Sequence, residues 1–291
     1  MRPPPTTFLT RLTTASRRHY SPRAIAVPTS TAAASLPKLR LTDLPAPTSA
    51  TCSCNPAEAA GEEIDRATPL AGTMPLHHSH VVIASGREDW SSRVELDAGV
   101  GEAVRKVKEA CKRHGDPFAP VLVTAGSFPV GVGVGGGVGM AVFPSGLWVA
   151  GVQSGMVERV VRRWVLPSSA SSSSSSTEEL PLPEKIIGST ILICSHNSRD
   201  RRCGKYFPAL KAEFLRVLDT LGVQDVRVEA TSHLSGHKFA GNVVVYRDGW
   251  GVWYGRVGVE AVEGIVRETV VKGRVVRGLC RGVVGAELEE V

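Results

Sequence analysis

Two cysteines and two histidines in the C-terminal half of the chain are residue types that bind metals. Cys194 and Cys203 are separated by eight residues, and His233 and His237 by three. Each pair follows an apolar, β-rich run, so both pairs are expected where strands end in loops. Thiolates and imidazoles that converge from such loops are ligands for zinc or iron. The spacing therefore predicts a metal site formed by these four residues.

Three kinds of chemistry fit this set of ligands. A structural zinc site of this type normally takes its thiolates from a close C-x2-4-C pair, whereas Cys194 and Cys203 stand nine positions apart. A redox dithiol of the thioredoxin type needs C-x-x-C at the start of a helix, and that spacing is also missing. A [2Fe–2S] cluster, with the cysteines on one iron and the histidines on the other, suits the wide spacing best. Zinc binding and thiol–disulfide exchange are kept as alternatives.

Histidine ligands change the charge of such a cluster. Two ferric ions, two sulfides and two thiolates sum to zero when the imidazoles are neutral, whereas four thiolates leave two negative charges. Since a neutral centre accepts an electron more readily than a dianion, histidine ligands raise the reduction potential. The outer N–H of each imidazole also responds to the charge on the iron. We therefore expect a one-electron carrier, rather than an enzyme, with a potential that depends on pH.

The elements around the ligands occur twice along the chain. Each unit reads as strand, helix, strand, β-hairpin and closing helix, the order of a thioredoxin-like fold. In the second unit the strands are Ser189–Cys194 and Val226–Ala230, and a helix is expected over Pro208–Leu221. The sequence thus predicts an α/β protein of two thioredoxin-like lobes, each a mixed sheet with helices on both faces. The first lobe has no ligands, because Ala84 and Ser127 occupy the matching positions.

Composition divides the chain into four parts. Residues 1–75 are rich in Pro, Ser, Thr and Ala and are expected to form a leader and a disordered tether. Residues 76–166 form the first lobe, 167–185 a Ser-rich linker and 186–291 the ligand-bearing lobe. The uncharged stretch 117–157 is broken by prolines and a glycine run, so no membrane-spanning segment is predicted there.

The formal net charge of +6 belongs mainly to the N-terminus. The first 42 residues contain seven Arg or Lys and no Asp or Glu. An acid-free, Arg- and Ser-rich leader with Phe8, Leu9 and Leu12 spaced for an amphipathic turn is typical of a mitochondrial transit peptide. We therefore expect a mitochondrial protein, with the matrix as its compartment. The charge gives little support to nucleic acid binding, because it lies in the leader.

The residues around the ligands resemble a known family. The motifs are C-x8-C-G at 194–204, SHLSGHKFAGN at 232–242 and WYG at 253–255, joined by GREDW at 86–90 in the first lobe. They are similar to the signature of the sucrase/ferredoxin-like family of thioredoxin-like proteins. The resemblance covers most of residues 78–285, and the leader makes the chain most similar to fungal mitochondrial members.

This resemblance implies a cofactor and a role. Family members carry a [2Fe–2S] cluster on two cysteines and two histidines, so Cys194, Cys203, His233 and His237 would take those places one for one. The resemblance implies a ferredoxin that acts in mitochondrial redox or thiol homeostasis with an unidentified reductase or electron acceptor. Four basic residues crowd the first ligand loop and are expected either to dock an acidic partner or to balance charge: Arg199, Arg201, Arg202 and Lys205.

Other metal-binding or reactive residue types receive different interpretations. His196 is expected beside the ligands without binding metal, and His77, His78 and His80 are expected in a solvated turn before a strand. The cysteines outside the site are predicted to be free thiols or core residues without an assigned role: Cys52, Cys54, Cys111 and Cys280. The glycine run at 131–136 matches a dinucleotide fingerprint but is followed by strand-like sequence, which argues against nucleotide binding.

Overall fold

The computed structural model describes residues 35–46, 64–130, 137–167 and 180–289. Several sequence motifs lie outside the described residues: the leader to residue 34, Cys52, Cys54, the glycine run 131–136 and the serine run 168–177. Within the described ranges, no helix is long and apolar enough to cross a membrane.

The first lobe has the predicted order of elements after a short N-terminal strand, β1 (Lys38–Thr42). Its elements are β2 (Ser79–Ala84), α1 (Gly101–His114), β3 (Val121–Gly126), β4 (Val138–Phe143), β5 (Leu147–Val152) and α2 (Val157–Val160, continued as a π-helix over Val161–Val165). Helix α1 buries Val104, Val107 and Ala110, whose three-residue spacing forms the apolar stripe that a helix presents to a sheet.

The second lobe repeats that order and adds short strands at its ends. Its elements are β6 (Glu184–Lys185), β7 (Ser189–Cys194), α3 (Arg201–Thr220), β8 (Val226–Thr231), β9 (Val243–Arg247), β10 (Trp250–Tyr254), α4 (Val259–Ile265, continued as a π-helix over Val266–Val271), β11 (Val275–Val276), β12 (Cys280–Val284) and β13 (Glu287–Glu289). The prediction that α3 begins at Pro208 was wrong. Asp200 caps the helix earlier, because its carboxylate accepts a hydrogen bond from the Arg202 N–H at 3.0 Å.

Both lobes contribute to one ten-stranded mixed sheet with the order β12-β10-β9-β7-β8-β3-β2-β4-β5-β6. The four central strands have the same order in each lobe, β10-β9-β7-β8 and β5-β4-β2-β3, so the two lobes are thioredoxin-like repeats. They meet where β3 and β8 pair antiparallel at Gly126 and Thr231. The strand end that precedes the predicted histidine ligands therefore lies at the seam between the lobes.

Strand alternation divides the core between the two faces of the sheet. Ile191 and Ile193 of β7 face the helices, whereas Leu192 and Cys194 belong to a smaller apolar cluster on the other face. In the described part of the chain, helices α1 to α4 all pack on the first face, not on both faces as the sequence predicts. The reason is that α1 packs beside α2, and α3 beside α4, so each pair covers its sheet face as a unit.

Part of the predicted tether is folded. Strand β1 pairs in parallel with both β11 and β13 in a separate three-stranded sheet. Leu39 of this strand is buried, and so are Ile64 and Leu70 further along. These segments therefore pack against the second lobe, and the expectation of a disordered tether up to residue 75 does not hold for residues 38–42 and 64–75.

Candidate metal centre

Cys194 is the last residue of β7 and is buried on the sheet face opposite the helices. Its backbone N–H donates a hydrogen bond to the carbonyl oxygen of Asn242 at 3.0 Å. Asn242 ends the loop that contains both predicted histidine ligands. The first ligand strand and the histidine loop are therefore joined directly at the site.

Cys203 lies in the first turn of α3, not on a loop as the sequence predicts. The N-terminus of a helix carries a partial positive charge, which favours a thiolate at this position. Gly204 allows the preceding loop to pack closely against this turn, because a Cβ at Gly204 would lie 2.3 Å from the Cβ of Asn197. A larger residue would therefore push the ligand loop away from the helix.

The thiols of Cys194 and Cys203 are in hydrogen-bond contact with each other. A hydrogen bond from Cys203 holds the pKa of Cys194 well below its usual range, and His233 lowers it further, although burial opposes both effects. The same contact raises the pKa of Cys203, and burial adds to this increase. The contact therefore favours a thiolate at Cys194, which is the form of cysteine that binds a cation.

Residues 232–242, here called the histidine loop, begin at the seam between the lobes. Ser232 donates its N–H to the Ala125 carbonyl at 2.8 Å and accepts the Ala125 N–H on its Oγ at 3.0 Å. Ser235 and Gly236 adopt the left-handed conformation, with φ of 64° and 65°. These two residues reverse the chain direction, so that the second histidine returns towards the first.

The two predicted histidine ligands face each other. The ring centroids of His233 and His237 are 5.4 Å apart, with the planes tilted by 38°. His237 is the more accessible, with 47% of its side chain exposed. The Nδ1 of His233 is buried and has no hydrogen-bond partner among the described residues. An unpaired buried nitrogen is costly unless a ligand occupies its lone pair, so this atom fits a metal-binding role.

The four donors lie in two pairs, thiol beside thiol and imidazole beside imidazole. In the described part of the chain, no group of three or more His, Cys, Asp or Glu side chains is placed to hold a metal ion. By donor chemistry, two thiolates and two neutral imidazoles match the ligands of a mixed cysteine and histidine [2Fe–2S] cluster.

His196 lies behind the ligands, as the sequence predicts. Its Nδ1 accepts a hydrogen bond from the backbone N–H of His233 at 3.2 Å, and its Nε2 donates to the Ser91 carbonyl at 2.9 Å. The ring of Trp90 packs nearly perpendicular to it, with centroids 5.7 Å apart. Since both ring nitrogens make hydrogen bonds, His196 orients the backbone of His233.

The first lobe covers the ligand loop between Cys194 and α3. Ser195 donates its hydroxyl to the Glu88 carbonyl at 2.5 Å, and Ser198 donates to the Asp89 carboxylate at 2.8 Å. Both acceptors belong to the GREDW motif. The first lobe therefore contributes no ligand but holds the first ligand loop in place.

Arg281 is a site residue that sequence reasoning missed. It is fully buried on β12 and donates to the Asn242 side-chain oxygen at 2.7 Å. In the sequence, the segment that contains Arg281 is a C-terminal stretch rich in Gly and Arg. The available signal was a single arginine in the otherwise apolar strand CRGVV, which would place its charge inside the protein.

His77 and His78 just before β2 and His80 within it are buried, and the prediction of a solvated turn was wrong. His77 and His80 are fully buried, and His78 nearly so. The His77 ring lies 5.0 Å from that of Trp253, and His80 Nδ1 is hydrogen-bonded to the Tyr246 hydroxyl at 3.0 Å. Burial lowers the pKa of His77 to about 4. These histidines are neutral core residues.

The other two described cysteines lie away from the site. Cys111 is partly buried on α1, as the sequence predicts, and burial raises its pKa to about 11. Cys280 begins β12 and packs under the helices, where burial raises its pKa to about 12. Both are therefore unreactive thiols that fill the core.

The basic residues near the ligands divide into paired and exposed groups. Arg202 binds the Asp200 carboxylate at 2.9 Å, and Lys238 binds that of Asp65 at 2.9 Å. Arg199 and Arg201 are exposed on the surface beside the first ligand loop. These two arginines give the solvent side of the site a positive character.

Two curated relatives share a segment with this chain. Altered inheritance of mitochondria protein 32 from Clavispora lusitaniae is 46% identical over 106 residues, which are 36% of this chain and 37% of that protein. The same-named protein from Debaryomyces hansenii is 42% identical over 109 residues, which are 36% of this chain and 40% of that protein. The matched segment thus spans about two fifths of the length of these relatives.

A third relative and a solved structure extend the comparison. Actin patches distal protein 1 from Saccharomyces cerevisiae is 25% identical over 235 residues, covering 72% of this chain and 74% of that protein. A thioredoxin-like [2Fe-2S] ferredoxin from Aquifex aeolicus is 23% identical and covers 32% of this chain and 89% of its own, with a TM-score of 0.28.

The family model described as sucrase/ferredoxin-like matches residues 70–282. This range includes all four predicted ligands and nearly all of both lobes. The chain belongs to the sucrase/ferredoxin-like family.

Proposed function

We propose that this protein binds a [2Fe–2S] cluster through Cys194, Cys203, His233 and His237 and carries single electrons. The observation that supports this most directly is the arrangement of the donors in two pairs at one end of the sheet. The buried Nδ1 of His233, which has no hydrogen-bond partner among the described residues, is available as a further donor. When bound, such a cluster supplies reversible one-electron transfer.

The surroundings of the donors favour the addition of an electron to the proposed centre. The helix start at Cys203 and the buried Arg281 guanidinium both place positive charge near the thiols. Neutral imidazoles at the other two positions add no negative charge. Both features stabilise the state with one additional electron and so raise the reduction potential.

His237 is the proposed point of electron entry and exit, because it is the most exposed of the four ligands. Arg199 and Arg201 lie exposed next to the neighbouring ligand loop. Positive charge around an exposed ligand favours a redox partner that presents acidic residues. We therefore propose a protein partner, either a reductase or an electron acceptor, with an acidic docking surface.

We propose a mitochondrial location, in the matrix, and a role in redox or thiol homeostasis. The composition of the leader supports this location. Two relatives carry names that refer to the inheritance of mitochondria, which also agrees with it. A fluorescent fusion of the full chain, compared with one lacking residues 1–34, would test the role of the leader.

Thiol–disulfide exchange by Cys194 and Cys203 is a second candidate. The contact between the thiols and the low pKa of Cys194 favour it, because the thiolate is the form that attacks a disulfide. In that case metal-free protein reduces disulfides and the Cys203→Ser variant does not. A structural zinc module, by contrast, would give a colourless protein that contains zinc and has neither activity.

The cluster proposal is tested by His237→Cys. We expect this variant to retain a cluster with a lower reduction potential, by on the order of 100 mV or more, because an added thiolate opposes reduction. The measurement is a redox titration of anaerobically purified protein. His114→Cys, which adds the same residue at the exposed end of α1, should leave the potential unchanged. An unchanged or higher potential in His237→Cys would exclude His237 as a ligand.

A further inference from the structure

Arg281 is a buried arginine with an unusual position in the sheet. It lies on β12 at a β-bulge, since Trp253 pairs with Gly282 and Tyr254 with Cys280, which leaves Arg281 without an opposite residue. A bulge redirects a side chain, and such irregularities are frequent next to functional sites. Here the side chain is fully buried.

The guanidinium has no carboxylate partner among the described residues. Its hydrogen bonds go to neutral oxygens: Thr73 Oγ1 at 3.1 Å, the Thr73 carbonyl at 2.7 Å, the Ser235 carbonyl at 3.2 Å and Asn242 Oδ1 at 2.7 Å. Burial lowers the pKa of Arg281 to about 10, and the anionic groups that oppose this change are Cys194 and Cys203. The attraction between Arg281 and these two cysteines therefore offsets part of the cost of burying the guanidinium charge.

Arg281 also supports the backbone of the histidine loop. It donates to the Ser235 carbonyl, and Asn242, which it also binds, donates its side-chain N–H to the Gly236 carbonyl at 3.1 Å. Ser235 and Gly236 are the two left-handed residues that turn His237 towards the first histidine. A single side chain thus fixes the turn that brings the imidazoles together.

A further contact anchors Arg281 itself. Its backbone carbonyl accepts the Gly72 N–H at 2.9 Å, while its side chain binds both polar groups of Thr73. Gly72 and Thr73, in the segment before β2, therefore bind both the backbone and the side chain of Arg281. The guanidinium is immobilised between this segment and the histidine loop.

We propose that Arg281 is a positioning residue that holds the histidine loop in its ligating shape and supplies the positive charge that offsets the cysteine thiolates. This inference rests on the proposed [2Fe–2S] site. A fixed buried cation stabilises added negative charge, because the low dielectric of the interior strengthens the interaction. Arg281 thus makes reduction easier and slows the loss of the cluster.

Three substitutions separate the two roles. Arg281→Gln removes both the charge and most of the hydrogen bonds. The reduction potential of the cluster in this variant should be lower than in the wild type, and a chelator should remove the cluster roughly 10- to 100-fold faster. Arg281→Lys keeps the charge but loses the forked contacts, so it should lose the cluster faster at a potential close to wild type. Asn242→Ala cuts the link to the Gly236 carbonyl with the arginine in place and should behave like Arg281→Lys.

The matched control is Arg247→Gln. Arg247 ends β9, whereas Asn242 directly precedes its first residue, so this change removes a charge at the far end of the same strand. Its potential and rate of cluster loss should equal those of the wild type. The readouts are the potential from redox titration, the decay of visible absorbance with chelator, and the thermal unfolding of each protein.

The outcomes distinguish this inference from the proposed function. Wild-type protein that contains no iron and sulfide overturns both. Wild-type protein with a cluster, but with the same potential and cluster loss in Arg281→Gln, overturns only the role of Arg281. If Arg281→Gln does not fold, wild-type rates of cluster loss in both Arg281→Lys and Asn242→Ala overturn the inference, and faster loss in both supports it.

Discussion

At the scale of single residues, the geometry of the proposed centre depends on a sharp turn between His233 and His237. Ser235 and Gly236 both have positive φ, and serine adopts this conformation at a cost. A Cβ on Gly236 would lie 2.5 Å from Nη2 of Arg281. Glycine at this position therefore satisfies both the backbone conformation and the close approach of the arginine.

We predict that Gly236→Ala loosens the histidine loop. The left-handed backbone costs about 1–2 kcal/mol for an L-residue, and displacement of Arg281 adds to this loss in the free energy of unfolding. Gly222→Ala is the control, because Gly222 has φ of 62° but no atom within 4 Å of its Cβ position. Urea unfolding should show a larger effect for Gly236→Ala. Equal effects would mean that Arg281 does not restrict this position.

The sequence was sufficient to propose Cys194, Cys203, His233 and His237 as ligands, because residue type and spacing are local information, and the ligand role itself stays a prediction. It did not place Cys203 on a helix, since the capping role of Asp200 was overlooked and Pro208 was taken as the start. It also missed Arg281, whose contact with the histidine loop depends on strand pairing far apart in sequence. The residues that contact each predicted ligand come from distant parts of the sequence, so local sequence patterns do not predict these contacts.

At the scale of elements, the segment from β2 to α1 acts as a cover for the first ligand loop. Asp97 holds this segment together. Burial opposes its ionisation, but hydrogen bonds from the backbone N–H groups of Ser91, Gly99 and Val100 and from Arg87 lower the pKa of Asp97 to about 2. The carboxylate is thus charged at neutral pH and keeps the segment folded over the site.

We predict that His196→Ala weakens this cover. The substitution leaves the N–H of His233 and the carbonyl of Ser91 without their partner, which costs about 2 kcal/mol in the free energy of unfolding. The cluster should also be lost faster to a chelator, because the His233 backbone is no longer held. His114→Ala, on an exposed helix end, serves as the control. If His196→Ala has the wild-type free energy of unfolding and the wild-type rate of cluster loss, the proposed role of the His196 hydrogen bonds is contradicted.

At the scale of the whole molecule, two similar lobes form one sheet, and the proposed histidine ligands of the second lobe follow the strand end at their seam. The repeated order of elements was sufficient to predict the two thioredoxin-like lobes. It was not sufficient to predict the small sheet, because β1 and its partners β11 and β13 are short and far apart in sequence. Placement of all helices on one face likewise depends on how helices pack beside each other.

The buried histidines around the start of β2, His77 and His80, give the whole protein a predictable acid sensitivity. The pKa of His77 falls from 6.5 to about 4 on burial, so the unfolded chain gains a proton below pH 6.5 that the folded protein does not accept until about 4. The free energy of unfolding should therefore decrease as the pH falls through this window, by about 3 kcal/mol from His77 alone. Burial lowers the pKa of His80 in the same direction.

The prediction is checked by urea unfolding at several pH values between 7.5 and 4.5. His77→Phe should retain contact with Trp253 but show a shallower decrease, since it removes one titrating group. A decrease as steep as that of the wild type would show that His77 is not a source of the acid sensitivity.

The central claim is that Cys194, Cys203, His233 and His237 hold a [2Fe–2S] cluster. The most direct measurement is the iron and acid-labile sulfide content of protein purified without oxygen, together with its visible spectrum. We predict a brown protein with iron and sulfide in equal amounts, both lost in Cys194→Ala. A colourless wild-type protein that contains zinc, or no metal, would contradict the account.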